Sequence, residues 1–287
     1  MDIYVKKAII HQFSPDDTDL YLADKFLNIT PKIEEYLRKK IERVYSDEAR
    51  TGIFEEDNPF LEMISDDLLE TSVAVANRWK EEFVVSENQK TNDLVFIQFS
   101  KEGVDHFAFL RIALRETLTH LGGEVDNPIK LTQNNLPGFG TGADEALVIN
   151  LQSRKYHLIE KRIKYNGTFL NYFSENLLQA QPKISPKKSI KALEKTAQKI
   201  AESFNTDDFQ FQSKVKSAIF NHIEEENKLS PEKLADDLFD DNLTARLSFI
   251  DQVKEAVPEP VTFEEIDVSR QLKKFENQKL SLSNGIE

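Results

Sequence analysis

The chain has 287 residues, with 37 Lys plus Arg against 50 Asp plus Glu, for a formal net charge of -13. An apolar content of 39% with 20 Phe supports a packed core and excludes global disorder. The lack of Cys excludes disulfides, thiolate catalysis and Cys-based metal sites.

No stretch approaches the roughly 18 apolar residues of a membrane span. The opening MDIYVKKAIIHQF has no small-residue cleavage pattern and reads poorly as a signal peptide. Ile3 to Phe13 reads as a strand with Lys6 and Lys7 exposed. Thr30-Pro31 starts a helix, with Thr at N-cap and Pro at N1. Its apolar stripe is Ile33, Leu37, Ile41 and Val44 or Tyr45, and Lys39, Lys40 and Arg43 read as a solvated face near its end.

Thr51-Gly52 marks a break, and Phe60 to Val84 is helical in two pieces. Trp79 and Phe83, an i,i+4 pair, belong to the core. Leu94 to Phe99 and Val104 to Ala113 form a β-hairpin about Lys101-Glu102-Gly103. The run Asn134 to Ala143 is a loop, followed by strands Glu145 to Leu151 and Tyr156 to Ile163. Residues 168–180 read as a short helix. Four helical segments follow, at about 186–203, 207–224, 230–239 and 242–256, and a strand-like tail begins at Val261.

The expected fold is α+β. A mixed or antiparallel sheet with packed helices precedes a smaller helical domain and a C-terminal strand or hairpin. The expected division is an α+β domain at 1–180, a linker at 181–188, a helical domain at 189–260 and a strand-like segment at 261–287. The closing LSLSNGIE alternates and then presents Asn284-Gly285, a hairpin turn signal, so truncation of a return strand is the favoured reading.

Charge is unevenly spread. Residues 151–200 carry 11 basic and 3 acidic side chains, a local +8, and the remainder nets -21. One half of this window is Arg154, Lys155, Lys161, Arg162 and Lys164. The other is Lys183, Lys187, Lys188, Lys191, Lys195 and Lys199. Lys188, Lys191, Lys195 and Lys199 recur at spacings of three and four, which puts them on one helix face. A row of ammonium groups can neutralise successive phosphates and release counterions, positioning nucleic acid without reading its sequence. On charge alone, an ordinary solvated helix face is the commoner explanation.

Other constellations are weaker. The loop Pro137-Gly138-Phe139-Gly140-Thr141-Gly142 lacks the Gly-Lys-Ser/Thr ending of a phosphate loop and precedes a strand, so its glycines read as a flexible connection. His11, His106, His120, His157 and His222 form no close metal-ligand pair. Glu160-Lys-Arg162 has Arg where a nuclease Glu-x-Lys motif needs Lys. No cofactor or metal and no enzymatic activity are expected.

Several segments together resemble the bacterial nucleoid-associated protein family. KKAIIHQF is similar to that family's opening strand, and Ile33 to Tyr45 with Asp47-Glu48 and Thr51-Gly52 resembles its next block. HFAFLRIAL, Leu136-Pro137, Asp144 to Leu151 and Tyr156 continue the match, and LSLSNGI resembles the start of its last hairpin. The resemblance implies a cytoplasmic protein of the nucleoid that binds DNA without a well-defined sequence, and it supplies no catalytic set. The expected contacts are Arg154, Lys155, Lys161, Arg162, Lys164, Lys187, Lys188, Lys191, Lys195 and Lys199. DNA is the leading partner and RNA the second candidate, with a homodimer adding avidity. The alternative is an acidic interaction module recruited to the nucleoid by a protein partner.

Overall fold

A computed structural model describes residues 2–15, 19–46, 48–83, 90–120, 129–160, 163–165, 168–204, 209–263 and 268. The chain divides into two compact units, Met1–Val44 with Thr51–Lys183, and Tyr45–Arg50 with Ile184–Glu287.

The first unit contains β1 (Ile3–Ser14), β2 (Asp19–Tyr21), α1 (Pro31–Val44), β3 (Arg50–Ile53), α2 (Pro59–Glu62) and α3 (Leu68–Glu82). It continues with β4 (Asn92–Lys101), β5 (Val104–Ala113), β6 (Arg115–His120), β7 (Ile129–Asn135), β8 (Glu145–Asn150) and β9 (Lys155–Ile159). The short strands β10 (Ile163–Tyr165) and β11 (Thr168–Leu170) and a π-helical turn at Phe173–Leu177 complete it. Seven strands form one sheet in the order β2-β1-β4-β5-β8-β9-β3, confirming the α+β fold. Its outermost strands, β2 and β3, have three and four residues.

Local sequence explains the sheet. β4 is almost continuously buried, as expected of LVFIQF in a central strand covered on both faces. Its pairing with β1 shifts register between Val5 and Lys7, and this bulge lets consecutive Lys6 and Lys7 both face outward. Phe96 and Phe109 are cross-strand partners whose rings stack at 4.8 Å. Trp79 stacks on Phe83 at 4.2 Å and meets Phe13 edge-on at 5.3 Å, all inside the core.

Three regions depart from the sequence expectation. The break at Thr51-Gly52 lies inside β3, and residues 168–180 form β11 and the π turn rather than a short α-helix. The segments Arg115–His120 and Ile129–Asn135 pair as a separate two-stranded ribbon. Its apolar cross-strand pair, Leu118 and Leu131, is exposed, so this pair gives none of the buried alternation that marks a strand in sequence.

The second unit contains α4 (Pro186–Ser203), α5 (Phe209–Glu226), β12 (Lys228–Leu229), α6 (Pro231–Leu238), α7 (Leu243–Lys254) and β13 (Val261–Thr262). Pro occupies the first turn of both α4 and α6. The Ser230 and Asn242 side chains cap α6 and α7 by accepting from the amides of Lys233 and Ala245. The strand-like tail returns as β13, paired antiparallel with β12. Leu193, Ala197, Ile219, Leu234 and Phe249 lie in the core of this unit. The Asn284-Gly285 hairpin expectation lies outside the described residues.

Candidate nucleic-acid interface

α4 separates its residues cleanly into two faces. Ile190, Leu193, Ala197 and Ile200 are buried, while Lys188, Lys191, Lys195 and Lys199 are exposed. At 1.5 Å rise per residue the lysine row extends about 16 Å. None of the four forms an ion pair with another described residue.

The start of the helix is electrostatically unusual. Its first turn has no acidic residue and carries Lys187 and Lys188, which oppose the positive end of the helix dipole. Lys187 is offset by an ion pair with Glu48, and Lys188 is not.

Packing adds a residue that spacing does not reveal. Burial pushes the Glu194 carboxyl on α4 above its ordinary range, while Lys216 of α5 and Lys191 pull it down. Lys216 is exposed and therefore lies within electrostatic reach of the α4 row. Its proximity depends on how α5 packs on α4, so helical periodicity could not have found it. Lys214, two residues earlier, is committed to the carbonyl oxygen of Leu238 at 3.1 Å.

The remaining predicted contacts lie in the first unit. Arg154 sits in the β8–β9 turn with φ 58°, a left-handed conformation for a residue with a Cβ. The Asn150 side chain organises that turn by accepting from the amides of Gln152 and Ser153. The Arg154 guanidinium is 3.8 Å from Glu56, and Lys155 beside it is exposed. Lys164 occupies β10 opposite Phe169, and Lys161 and Arg162 lie outside the described residues.

The histidines have structural roles where their bonds are defined. His11 is fully buried between the Ala23 amide and Ser72, and His106 Nδ1 is 2.9 Å from the Val104 carbonyl oxygen. Among the described residues, no group of three or more His, Asp or Glu is placed to hold a metal ion. No described helix is long and apolar enough to cross a membrane.

No curated protein matches the chain. The family model described as nucleoid-associated protein YejK matches residues 9–287, which takes in every element from within β1 onward, α4 included. The resemblance seen in the separate segments is thus a match along almost the whole length, and the chain belongs to the nucleoid-associated protein YejK family.

Proposed function

We propose that the protein binds DNA non-enzymatically and with little sequence specificity, through the exposed lysine row of α4. The observation that carries this reading is the row itself: four exposed ammonium groups on one helix face, none ion-paired with another described residue, in a chain of net charge -13. Such a row contacts phosphates, which positions a protein on nucleic acid without reading bases. Lys216 extends the row, and Lys187, Arg154, Lys155, Lys161, Arg162 and Lys164 are supplementary contacts. The family name describes association with the nucleoid and names no reaction, which agrees with a binding role in the cytoplasmic nucleoid. A second copy on the same DNA would add avidity.

The test is fluorescence anisotropy of the full chain with mixed-sequence double- and single-stranded DNA and RNA over a salt series. The expected result is steeply salt-dependent binding that varies little with sequence. In K188E/K191E/K195E the slope of log affinity against log salt should fall by about 2 to 3. Unchanged binding by that variant removes α4 as the contact. Absence of any low-salt binding by the wild-type chain removes the function.

A further inference from the structure

A second group of cations surrounds the glycine-rich loop of the first unit. Lys40, in the middle of α1, is fully buried, and its Nζ donates to the carbonyl oxygens of Pro137, Gly138 and Thr141 at 3.3, 2.9 and 2.5 Å. Tyr36, one turn earlier, donates to the Pro137 carbonyl at 3.0 Å and meets the Phe139 ring edge-on at 5.4 Å. The loop is therefore pinned to α1.

Arg43, nearly one turn beyond Lys40, lies along the glycines. Its Nη2 is 3.9 Å from the position a Cβ on Gly140 would occupy, and its Cδ is 3.9 Å from the same point on Gly142. Arg115 opens β6 in register with Asn135, the last residue of β7, so it stands where the chain enters the loop. Both arginines are exposed, and neither forms an ion pair with another described residue.

These cations feel one another. Burial, then Arg43 and Arg115, bring the Lys40 pKa down to about 8, and Asp144 opposes the shift. Gathering like charges costs energy that an anion recovers. The helix dipole accounts for Arg43 near the C-terminus of α1 but not for Arg115 on a strand. Lys40 is spent on the loop carbonyls, which leaves the two guanidiniums to meet an anion. The planar donor fork of arginine suits phosphate, and glycines leave the backbone open to close approach.

We propose that Arg43, Arg115 and the Gly138–Gly142 loop form a phosphate-binding site that takes a backbone phosphate of nucleic acid. This rests on the DNA-binding reading above and adds a contact in the first unit, independent of α4.

The experiment compares full-length wild type, R43E/R115E and the charge-matched control R78E/K80E on α3 in the same duplex anisotropy series. R43E/R115E should keep its far-UV spectrum and Tm, lose at least about tenfold in low-salt affinity, and lower the salt slope by about 1. The control should stay within about twofold of wild type. Unchanged affinity and slope in R43E/R115E overturn this site and leave the α4 reading intact. An equal loss in the control also overturns it, because net charge alone would then explain the effect. If wild type binds no duplex, the proposed function fails and the site is judged by titrating inorganic phosphate against the Gly140 and Gly142 amide resonances. Shifts that R43E/R115E abolishes retain it as a free-phosphate site, and absence of shifts overturns it.

Discussion

The ring of Tyr156 occupies the space that a side chain on Gly52 would need. A Cβ at Gly52 would lie 2.2 Å from Tyr156 Oη and 2.4 Å from Cζ, closer than nonbonded atoms approach. The ring has little room to retreat, because Tyr156 is buried and packs on Phe54 at 4.4 Å. Gly52→Ala should therefore destabilise the protein by about 2 to 4 kcal/mol, read as a lowered urea midpoint. Gly138→Ala, where an added Cβ meets nothing within 4 Å, serves as the control and should change stability by less than about 0.5 kcal/mol.

His11 should stay neutral well into the acid range. The Ala23 amide donates to its Nδ1 at 3.0 Å, so Nε2 carries the proton and donates to Ser72 Oγ, also at 3.0 Å. Burial brings its pKa down from 6.5 to about 4. Between those values the unfolded imidazole takes up a proton that the folded one refuses. Its contribution is complete above pH 6.5 and falls on acidification toward pH 4, by roughly 3 kcal/mol in all. Imidazole NMR should show the Nε2–H tautomer and a midpoint near 4, and a midpoint near 6.5 would refute this account.

Arg111 and Glu145 should be costly to separate. They face each other across β5 and β8, with Nε 2.8 Å from Glu145 Oε2 and Nη1 2.9 Å from Asn92 Oδ1. Tyr172 Oη also donates to Glu145 Oε2. Burial works against the guanidinium charge, but Glu145 outweighs it and holds the Arg111 pKa above its ordinary value. Arg111→Met leaves a buried carboxylate without its cation and should cost about 3 to 5 kcal/mol. R111M/E145L should cost less than the two single changes combined, as measured in a double-mutant cycle by chemical denaturation.

Lys40→Met should release the glycine loop. Three carbonyls lose their donor, and the expected cost is about 1 to 3 kcal/mol, with faster amide exchange across residues 138–142. The wild-type lysine also gives a pH signature of the same sign as that of His11, displaced to alkaline pH. Between about pH 8 and 10.5 the folded side chain has released a proton that the unfolded one keeps, so its contribution to stability rises with pH. The urea midpoints of wild type and Lys40→Met should therefore move apart in favour of wild type through that window.

The sequence was most legible where burial is periodic. The Phe96 and Phe109 strands, the α4 apolar stripe and the start of α6 all follow from spacing and capping residues. The exposed lysines of α4 follow from the same helical period. Lys40 reads as solvated in the sequence because its burial is created by residues 137–141, far away in the chain. The β6–β7 ribbon was silent for the converse reason, since Leu118 and Leu131 stay exposed. Arg43, Arg115 and Lys216 gain meaning only from neighbours brought in by tertiary packing.

The two rims of the large sheet bear on life along a long polymer. Proteins held on one DNA molecule meet copies of themselves far more often than their bulk concentration implies. A long open rim would offer each neighbour a row of unpaired backbone groups to extend. β2 and β3 offer only three and four residues. On the DNA-binding reading proposed above, these two end strands give a neighbouring copy only a short ladder to extend, which favours copies that leave the DNA singly.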